Sequence, residues 1–292
     1  MQEQNELTHP NSNVPDTTSL RPMDFTDILD GIFSLYRNHL RLFLTIVAVY
    51  VILQFGIEQI SVSLAQSGSI LGINTIILIF TSLSTSVLSI LVVAGLVYAS
   101  TQVYLGREIT AKTAWQHASR RFWPYLWGGI LWTLTGGCLM VTIIGIPFAI
   151  YFWIRWSLYG LPVMFEETTG RNALRRSTEL VKGSWWRVFG IILAIFLIAG
   201  MIGFILQAAS EFILSLIGLA APKEPANLLE WLQRLYIPVP TEMGWFSYSV
   251  RRLVSLSIAF ITMPISPIGS TLLYFDLRIR KEAYDIEMQV SD

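Results

Sequence analysis

Long apolar runs separated by short polar segments are the main pattern of this chain. A bilayer core of about 30 Å needs roughly 20 mostly apolar residues per helix. Four runs meet that length: Leu42–Ile60, Ile73–Tyr98, Val188–Leu219 and Leu253–Phe275. A fifth run, Phe122–Phe165, is about twice too long for one span.

Gly145, Ile146 and Pro147 divide the fifth run about in half. Proline suits the first turn of a helix, because the N–H that it lacks would be unpaired there anyway. We therefore predict a tight hairpin of two spans in this run. The whole pattern predicts an all-α, polytopic membrane protein with about six transmembrane helices.

The basic residues are concentrated in four polar segments. Residues 1–41, 105–121, 166–187 and 276–292 hold fifteen of the twenty lysines and arginines. Such an excess is typical of cytoplasmic loops, so we expect both termini in the cytoplasm. Basic segments also flank Phe122–Phe165 on both sides, which requires an even number of crossings in that run.

The domain organisation follows from the same pattern. Residues 1–23 are polar and predict a disordered tail, because such a segment cannot bury enough apolar surface to fold. Residues 24–285 form one integral membrane domain, and residues 286–292 a short C-terminal tail. Residues 220–250 are expected on the outer side, either as a short surface helix or as an ordered loop packed on the bundle.

Three cytoplasmic segments share one design: an amphipathic helix, then a basic and aromatic junction, then two spans. This design indicates three parallel helix-pair repeats, although any cytoplasmic loop that enters a membrane tends to be basic, aromatic and amphipathic. The apolar stripes are Phe25, Ile28, Leu29, Ile32, Phe33, Tyr36 and Leu40 in the first; Ala111, Ala114, Trp115, Ala118 and Phe122 in the second; and Ala173, Leu174, Ser177, Leu180 and Val181 in the third.

Composition supports a lipid environment. Apolar residues make up 53% of the chain and charged residues only 14%, whereas a soluble domain carries roughly 25% charged residues. The formal net charge of zero gives no indication of a nucleic-acid partner. The single Cys138 excludes an internal disulfide and a cysteine-based metal cluster.

Sequence motifs for catalysis are missing from the chain. It contains no HExxH, P-loop, GxSxG or Cys/His metal spacing, and its three histidines lie in the tail and at interfacial positions. We therefore expect no catalytic residue, no metal site and no cofactor.

Ionisable groups within or beside the spans are the remaining candidates for a site. Arg155 would lie near mid-membrane and need a polar partner if its helix continues to Phe165, or would reach the cytoplasmic headgroups if the helix ends near Leu161. Glu58 and Glu211 are expected near the outer ends of their spans, in solvent or lining a vestibule. The densest basic cluster is a candidate for lipid-headgroup contacts, or simply satisfies the charge bias of cytoplasmic loops: Arg171, Arg175, Arg176 and Lys182.

Short motifs at the membrane junctions resemble the membrane domain that accompanies some bacterial glycerophosphoryl diester phosphodiesterases and also occurs as a stand-alone protein of unknown function. The resemblance covers most of residues 20–285. The motifs are Arg21-Pro22, Ile28-Leu29-Asp30, Leu161-Pro162-Val163-Met164-Phe165-Glu166-Glu167, Ala173-Leu174-Arg175-Arg176-Ser177, Leu180 to Arg187, and Leu272 to Asp285.

The resemblance implies a bacterial cytoplasmic (inner) membrane and an accessory role. The phosphodiesterase barrel is a separate domain of about 250 residues, for which the chain has no room, and no catalytic residues are transferred. We therefore expect a non-enzymatic anchor, scaffold or accessory subunit. Its partners would be membrane lipids and, as a second candidate, another membrane or membrane-associated protein. The alternative is a transporter or lipid-handling protein with Arg155 facing an internal cavity.

Overall fold

The computed structural model describes residues 22–66, 71–219 and 244–291, and within these ranges the chain consists of helices joined by turns. Nearly all of the predicted disordered tail lies outside the described residues, as does most of the predicted outer-surface segment. The helices are α1 (Phe25–Asn38), α2 (Leu40–Gln66), α3 (Leu71–Tyr104), α4 (Ala111–Arg120), α5 (Phe122–Met140), α6 (Gly145–Arg155), α7 (Gly160–Met164), α8 (Gly170–Val181), α9 (Trp185–Leu216), α10 (Trp245–Thr262) and α11 (Ile265–Ser291).

Four helical stretches are long and apolar enough to cross a membrane: Leu40–Leu64, Thr75–Tyr104, Trp185–Leu216 and Trp245–Glu282. The predicted hairpin supplies none of the four. Helix α5 has the length, since its nineteen residues extend about 28 Å, but its Trp, Tyr, Pro and Gly residues lower its hydropathy. Helix α6 has only eleven residues, or about 16 Å.

Helices α5 and α6 nevertheless pack against each other as a hairpin. Helix α6 begins at Gly145, with Pro147 in its first turn as predicted. The turn requires glycine at its end, because a Cβ on Gly145 would lie 1.9 Å from the carbonyl oxygen of Leu139. At the open end of the hairpin, Arg121 donates a hydrogen bond to the carbonyl of Glu167 (2.8 Å) and pairs with its carboxylate. Both ends of the run therefore lie on the same side of the bundle.

The three predicted amphipathic helices are present as α1, α4 and α8. Asp24 is the N-cap residue of α1, and the Thr110 hydroxyl accepts a hydrogen bond from the backbone N–H of Thr113 at the start of α4. The third stripe faces inward, since all five of its predicted positions in α8 are buried. The other two are buried in part, at Ile28 and Ile32 of the first and at Ala114 and Ala118 of the second, whereas Phe25, Phe33 and Leu40 of the first stripe are exposed. Each is followed within three residues by a longer helix.

Each of these amphipathic helices packs on a helix that precedes it in the chain, except that the first packs on the last helix of the chain. Helix α4 packs on α3, α8 packs on α7 and α5, and α1 packs on α11. The buried core lies beneath them, in the second half of α3, in α7 and in the first half of α11. We call this end of the bundle the basic side, because it carries the basic junctions.

The span predicted at Leu253–Phe275 lies within the candidate span Trp245–Glu282, which is made of two helices, α10 and α11. A break at Met263 and Pro264 divides the segment, because proline lacks the N–H that would continue the helix. Helix α10 begins at Trp245, eight residues before the apolar run, so Arg251 and Arg252 lie within a helix instead of in an outer loop. Helix α11 continues to Ser291, through the segment predicted as a short tail.

Candidate functional site

Helix α8 is pressed closely onto α5. A Cβ on Gly170, the first residue of α8, would lie 2.8 Å from the backbone N of Gly128 and from the carbonyl oxygen of Pro124. Only glycine allows this approach, so the first turn of α8 contacts the α5 backbone directly. The helix ends at Val181, and Gly183, two residues later, has a φ of 85°, the left-handed conformation that favours glycine after a helix.

The predicted basic cluster is divided between two environments. Arg171, Arg175 and Lys182 are exposed, whereas Arg176 is half-buried. Arg171 makes no hydrogen bond to another described residue, and Arg175 forms a surface ion pair with Glu179 at 3.0 Å. Such an exposed pair is worth only about 0.3–0.5 kcal/mol, so it leaves the Arg175 guanidinium available to another anion.

Arg176 forms ion pairs inside the protein. Its Nε lies 3.2 Å from Glu166, and its terminal nitrogen lies 3.0 Å from Glu282 on α11. Tyr274 also donates a hydrogen bond to Glu166. Partial burial opposes the charge of Arg176, but Glu166 and its neighbours outweigh that effect and raise the pKa of the guanidinium. Arg176 therefore joins α8 to α11 and to the end of α7, and is separate from the exposed arginines.

A cavity of about 660 Å³ lies beside the exposed arginines, between α5 and α8. Its walls are mainly apolar, and two guanidinium groups line it at the basic side. The α5 wall extends over two helical turns, or about 12 Å, from Trp127 to Thr135. The lining residues are Trp127, Leu131, Thr135, Trp156, Arg171, Leu174, Arg175 and Thr178.

Arg155 lies at the end of α6, because the helix stops there, well before the two end points expected from the sequence. Its guanidinium donates a hydrogen bond to the Tyr151 hydroxyl at 3.1 Å and lies 5.6 Å from the centre of that ring. The side chain is half-buried and does not line the α5–α8 cavity. The carbonyl oxygen of Arg155 accepts a hydrogen bond from the Ser177 hydroxyl (2.9 Å), so α8 caps the end of α6.

Glu58 and Glu211, which the sequence placed near the outer surface, form ion pairs with α10. Glu58 is 9% exposed and pairs with Arg252, and Glu211 pairs with Arg251, which is 4% exposed. The burial of Arg251 and the partial burial of Arg252 were not predicted, because the charge pattern placed both in an outer loop. Opposite charges near the ends of neighbouring apolar runs could have indicated the Glu211–Arg251 pair, whereas Glu58 and Arg252 belong to the first and the last run.

Asp276 forms a second cluster that sequence analysis did not identify. It is fully buried, and it accepts hydrogen bonds from the backbone N–H of Met23 (2.8 Å), from Arg187 (3.0 Å) and from Arg280 (3.0 Å). Arg187 and Arg280 also donate to the carbonyl of Met23. The cluster therefore joins the residues before α1 to α9 and α11.

Comparisons with protein-family models, with curated proteins and with solved structures find no match for this chain. The resemblance to the phosphodiesterase-associated membrane domain therefore stays a prediction from its short motifs.

Proposed function

We propose that this chain is a non-enzymatic, multi-pass membrane protein that binds anionic phospholipid in the cavity between α5 and α8. The observation that carries the proposal is the pairing of two exposed guanidinium groups, Arg171 and Arg175, with a largely apolar cavity of about 660 Å³. This proposal develops the lipid-handling alternative from the sequence, with the exposed part of the basic cluster in place of Arg155.

The chemistry of the cavity suits a phospholipid. A phosphate accepts hydrogen bonds and carries negative charge, so it complements arginine, whose guanidinium presents several N–H donors. The apolar wall of α5 continues from the arginines toward the middle of the bilayer and would accommodate part of an acyl chain. Trp127 is 57% exposed beside the cavity, and tryptophan is favoured at the headgroup level of membranes.

The proposal includes six crossings with both termini in the cytoplasm. The α5–α6 hairpin supports it, because its two open ends meet at Arg121 and Glu167, as an even number of crossings requires. In this arrangement α8 lies at the cytoplasmic surface of a bacterial inner membrane, where anionic lipids attract basic segments by about 1 kcal/mol per nearby cation.

Three parallel helix pairs are also part of the proposal. Each amphipathic helix contacts the last helix of the pair before it, counted cyclically. Helix α4 contacts α3, α8 contacts α7 as well as α5, and α1 contacts α11. Tyr104 at the end of α3 and Phe165 just after α7 both contact Phe275 within α11, with ring centres 4.6 Å and 5.6 Å away. The carbonyl of Ile261, before the α10–α11 break, accepts from the Tyr36 hydroxyl of α1 at 2.9 Å. In the same way, the Ser177 hydroxyl of α8 donates a hydrogen bond to the carbonyl of Arg155 at the end of α6.

Native mass spectrometry tests the proposed function. The full chain would be purified in a mild detergent and mixed with equal amounts of phosphatidylglycerol and phosphatidylethanolamine. We expect the wild type to retain phosphatidylglycerol preferentially. The double variant Arg171→Gln/Arg175→Gln should bind it about thirty-fold more weakly, from about 1 kcal/mol for each lost cation.

The matched control is Arg107→Gln/Arg120→Gln, which removes the same charge from exposed positions outside the cavity. It should keep the wild-type preference. Equal retention by the wild type and both double variants would contradict the proposed site. A stoichiometric protein that co-purifies in place of lipid would support the scaffold interpretation instead.

A further inference from the structure

A second cavity lies inside the bundle, where the helix breaks meet α3 and α5. Its volume is about 480 Å³, within the range of about 300–1,000 Å³ that holds small organic ligands. It is lined by residues of α3, α5, α7 and α11, by the turn between α6 and α7, and by Met263 in the break between α10 and α11. The proposed phospholipid cavity between α5 and α8 shares none of its lining residues.

Three of the four serines that line this central cavity can act as acceptors for a ligand. The hydroxyls of Ser89, Ser157 and Ser270 each donate to a carbonyl of their own segment at 2.8 Å. Their protons are therefore used, whereas the oxygen lone pairs can still accept hydrogen bonds from a ligand. Among the described residues that line this cavity, none is charged. A phosphate would thus find neither a cation nor a free donor from these serines.

The central cavity adjoins a second space of about 450 Å³ along α5. Both are lined by Ile90, Tyr125, Trp132 and Tyr159, so the two spaces meet at these side chains. The outer space is almost wholly apolar, and its walls include Leu134, which is 63% exposed on the surface of α5. In a bilayer this surface faces acyl chains, so the outer space offers a lateral path from the lipid to the central cavity.

We propose that the central cavity binds the head of an uncharged, hydroxyl-bearing lipid of the diacylglycerol type, whose chains extend through the lateral space beside α5. The ligand hydroxyl donates to the serine oxygens, and the aromatic side chains Tyr125, Trp132 and Tyr159 pack around its glycerol backbone. The site is chemically distinct from the phospholipid cavity, because the side chains that line it are uncharged, whereas the phospholipid cavity offers two cations.

Photolabelling tests this site directly. The full chain in phosphatidylcholine nanodiscs would be exposed to a diacylglycerol that carries a diazirine in one acyl chain, and the labelled peptides identified by mass spectrometry. We expect labels in the segments that contain Tyr125–Trp132 and Ser157–Leu161. Unlabelled dioleoylglycerol should compete, whereas dioleoylphosphatidylglycerol should not.

The double variant Ser157→Ala/Ser270→Ala should require about tenfold more diacylglycerol for half-maximal labelling, because two hydrogen bonds are lost. The control Ser215→Ala/Ser257→Ala removes two exposed hydroxyls that bond in the same way to their own helices, and should behave as the wild type. Thermal unfolding of each variant verifies that it folds, and Ser89→Ala is a third test of the same hydroxyl set.

Equal competition by both lipids, labels confined to outward residues such as Phe196, or unchanged labelling in Ser157→Ala/Ser270→Ala would each overturn the proposal. Arg171→Gln/Arg175→Gln should leave diacylglycerol labelling unchanged. The two lipid sites can therefore fail independently of each other.

Discussion

Neutralising Asp276 should destabilise the protein more than any exposed charge change. The carboxylate is fully buried and accepts from Arg187 and Arg280, at 3.0 Å each, and from the backbone of Met23. Asp276→Asn keeps the size of the side chain but leaves two guanidinium groups without their counter-charge. It also loosens the connection between the residues before α1 and the body of the bundle.

The size of this destabilisation follows from the burial of the Asp276, Arg187 and Arg280 side chains. Removing one partner of a buried ion pair costs about 3–5 kcal/mol. The Arg187 and Arg280 side chains are 30% and 33% exposed, so solvent compensates part of the loss. We therefore expect Asp276→Asn to lower the free energy of unfolding by about 2–4 kcal/mol.

Unfolding in mixed micelles, followed by the fluorescence of the ten tryptophans, measures this loss. The control Glu179→Gln breaks the exposed pair with Arg175 and should change stability by less than about 0.5 kcal/mol. If Asp276→Asn unfolds within about 0.5 kcal/mol of the wild type, the cluster does not hold the bundle together.

Two further predictions concern α4 and α8. Burial lowers the pKa of His117, whose Nε2 lies 3.1 Å from the carbonyl oxygen of Met164, so the folded state favours the neutral ring. As the pH falls through about 6.5, His117 of the unfolded chain therefore binds a proton before His117 of the folded protein does, and the folded state loses stability. The unfolding midpoint of the wild type should drop between about pH 7.5 and 5.5, and that of His117→Gln should drop less. Gly170→Ala should destabilise the protein by more than about 1 kcal/mol, because the new Cβ would meet the backbone of α5. The control Gly137→Ala should be nearly neutral, because no atom lies within 4 Å of the position of its Cβ. Equal unfolding midpoints for the two variants would refute the close approach of α8 to α5.

The amphipathic helices were predictable because their patterns are local. The stripe from Ala173 to Val181 has helical spacing, and all five of its residues are buried. The hairpin turn was predictable for the same reason, since Gly145 and Pro147 act within the turn itself. In these segments the structure at each position is determined by residues only a few positions away in the sequence.

Helix ends that depend on distant residues were not predictable. Helix α6 stops at Arg155, where Ser177 and Thr178 of α8 bond to Arg155 and Trp156 across about twenty residues of chain. Helix α10 begins before the apolar run because Arg252 is neutralised by Glu58, which is 194 residues away. A hydropathy pattern contains no information about such partners.

The candidate site was predictable in part. Arg171 and Arg175 are four residues apart and share a helical face, whereas Arg176 is rotated by about 100° from Arg175 toward the bundle. Helical spacing could therefore have divided the cluster. The apolar wall beside the exposed arginines requires α5 at van der Waals distance, which depends on Gly170 and Gly128 meeting across the fold.

Both lipid proposals depend on the double crossing of residues 122–165, which a cysteine-accessibility experiment tests most directly. Cys138 is the only cysteine, so Cys138→Ser gives a background for single cysteines at Thr142, in the α5–α6 turn, and at Lys182, on the basic side. A membrane-impermeant maleimide should label Thr142→Cys from the outer side of intact spheroplasts and Lys182→Cys only in inside-out vesicles. Labelling of both cysteines from the cytoplasmic side alone would contradict six crossings.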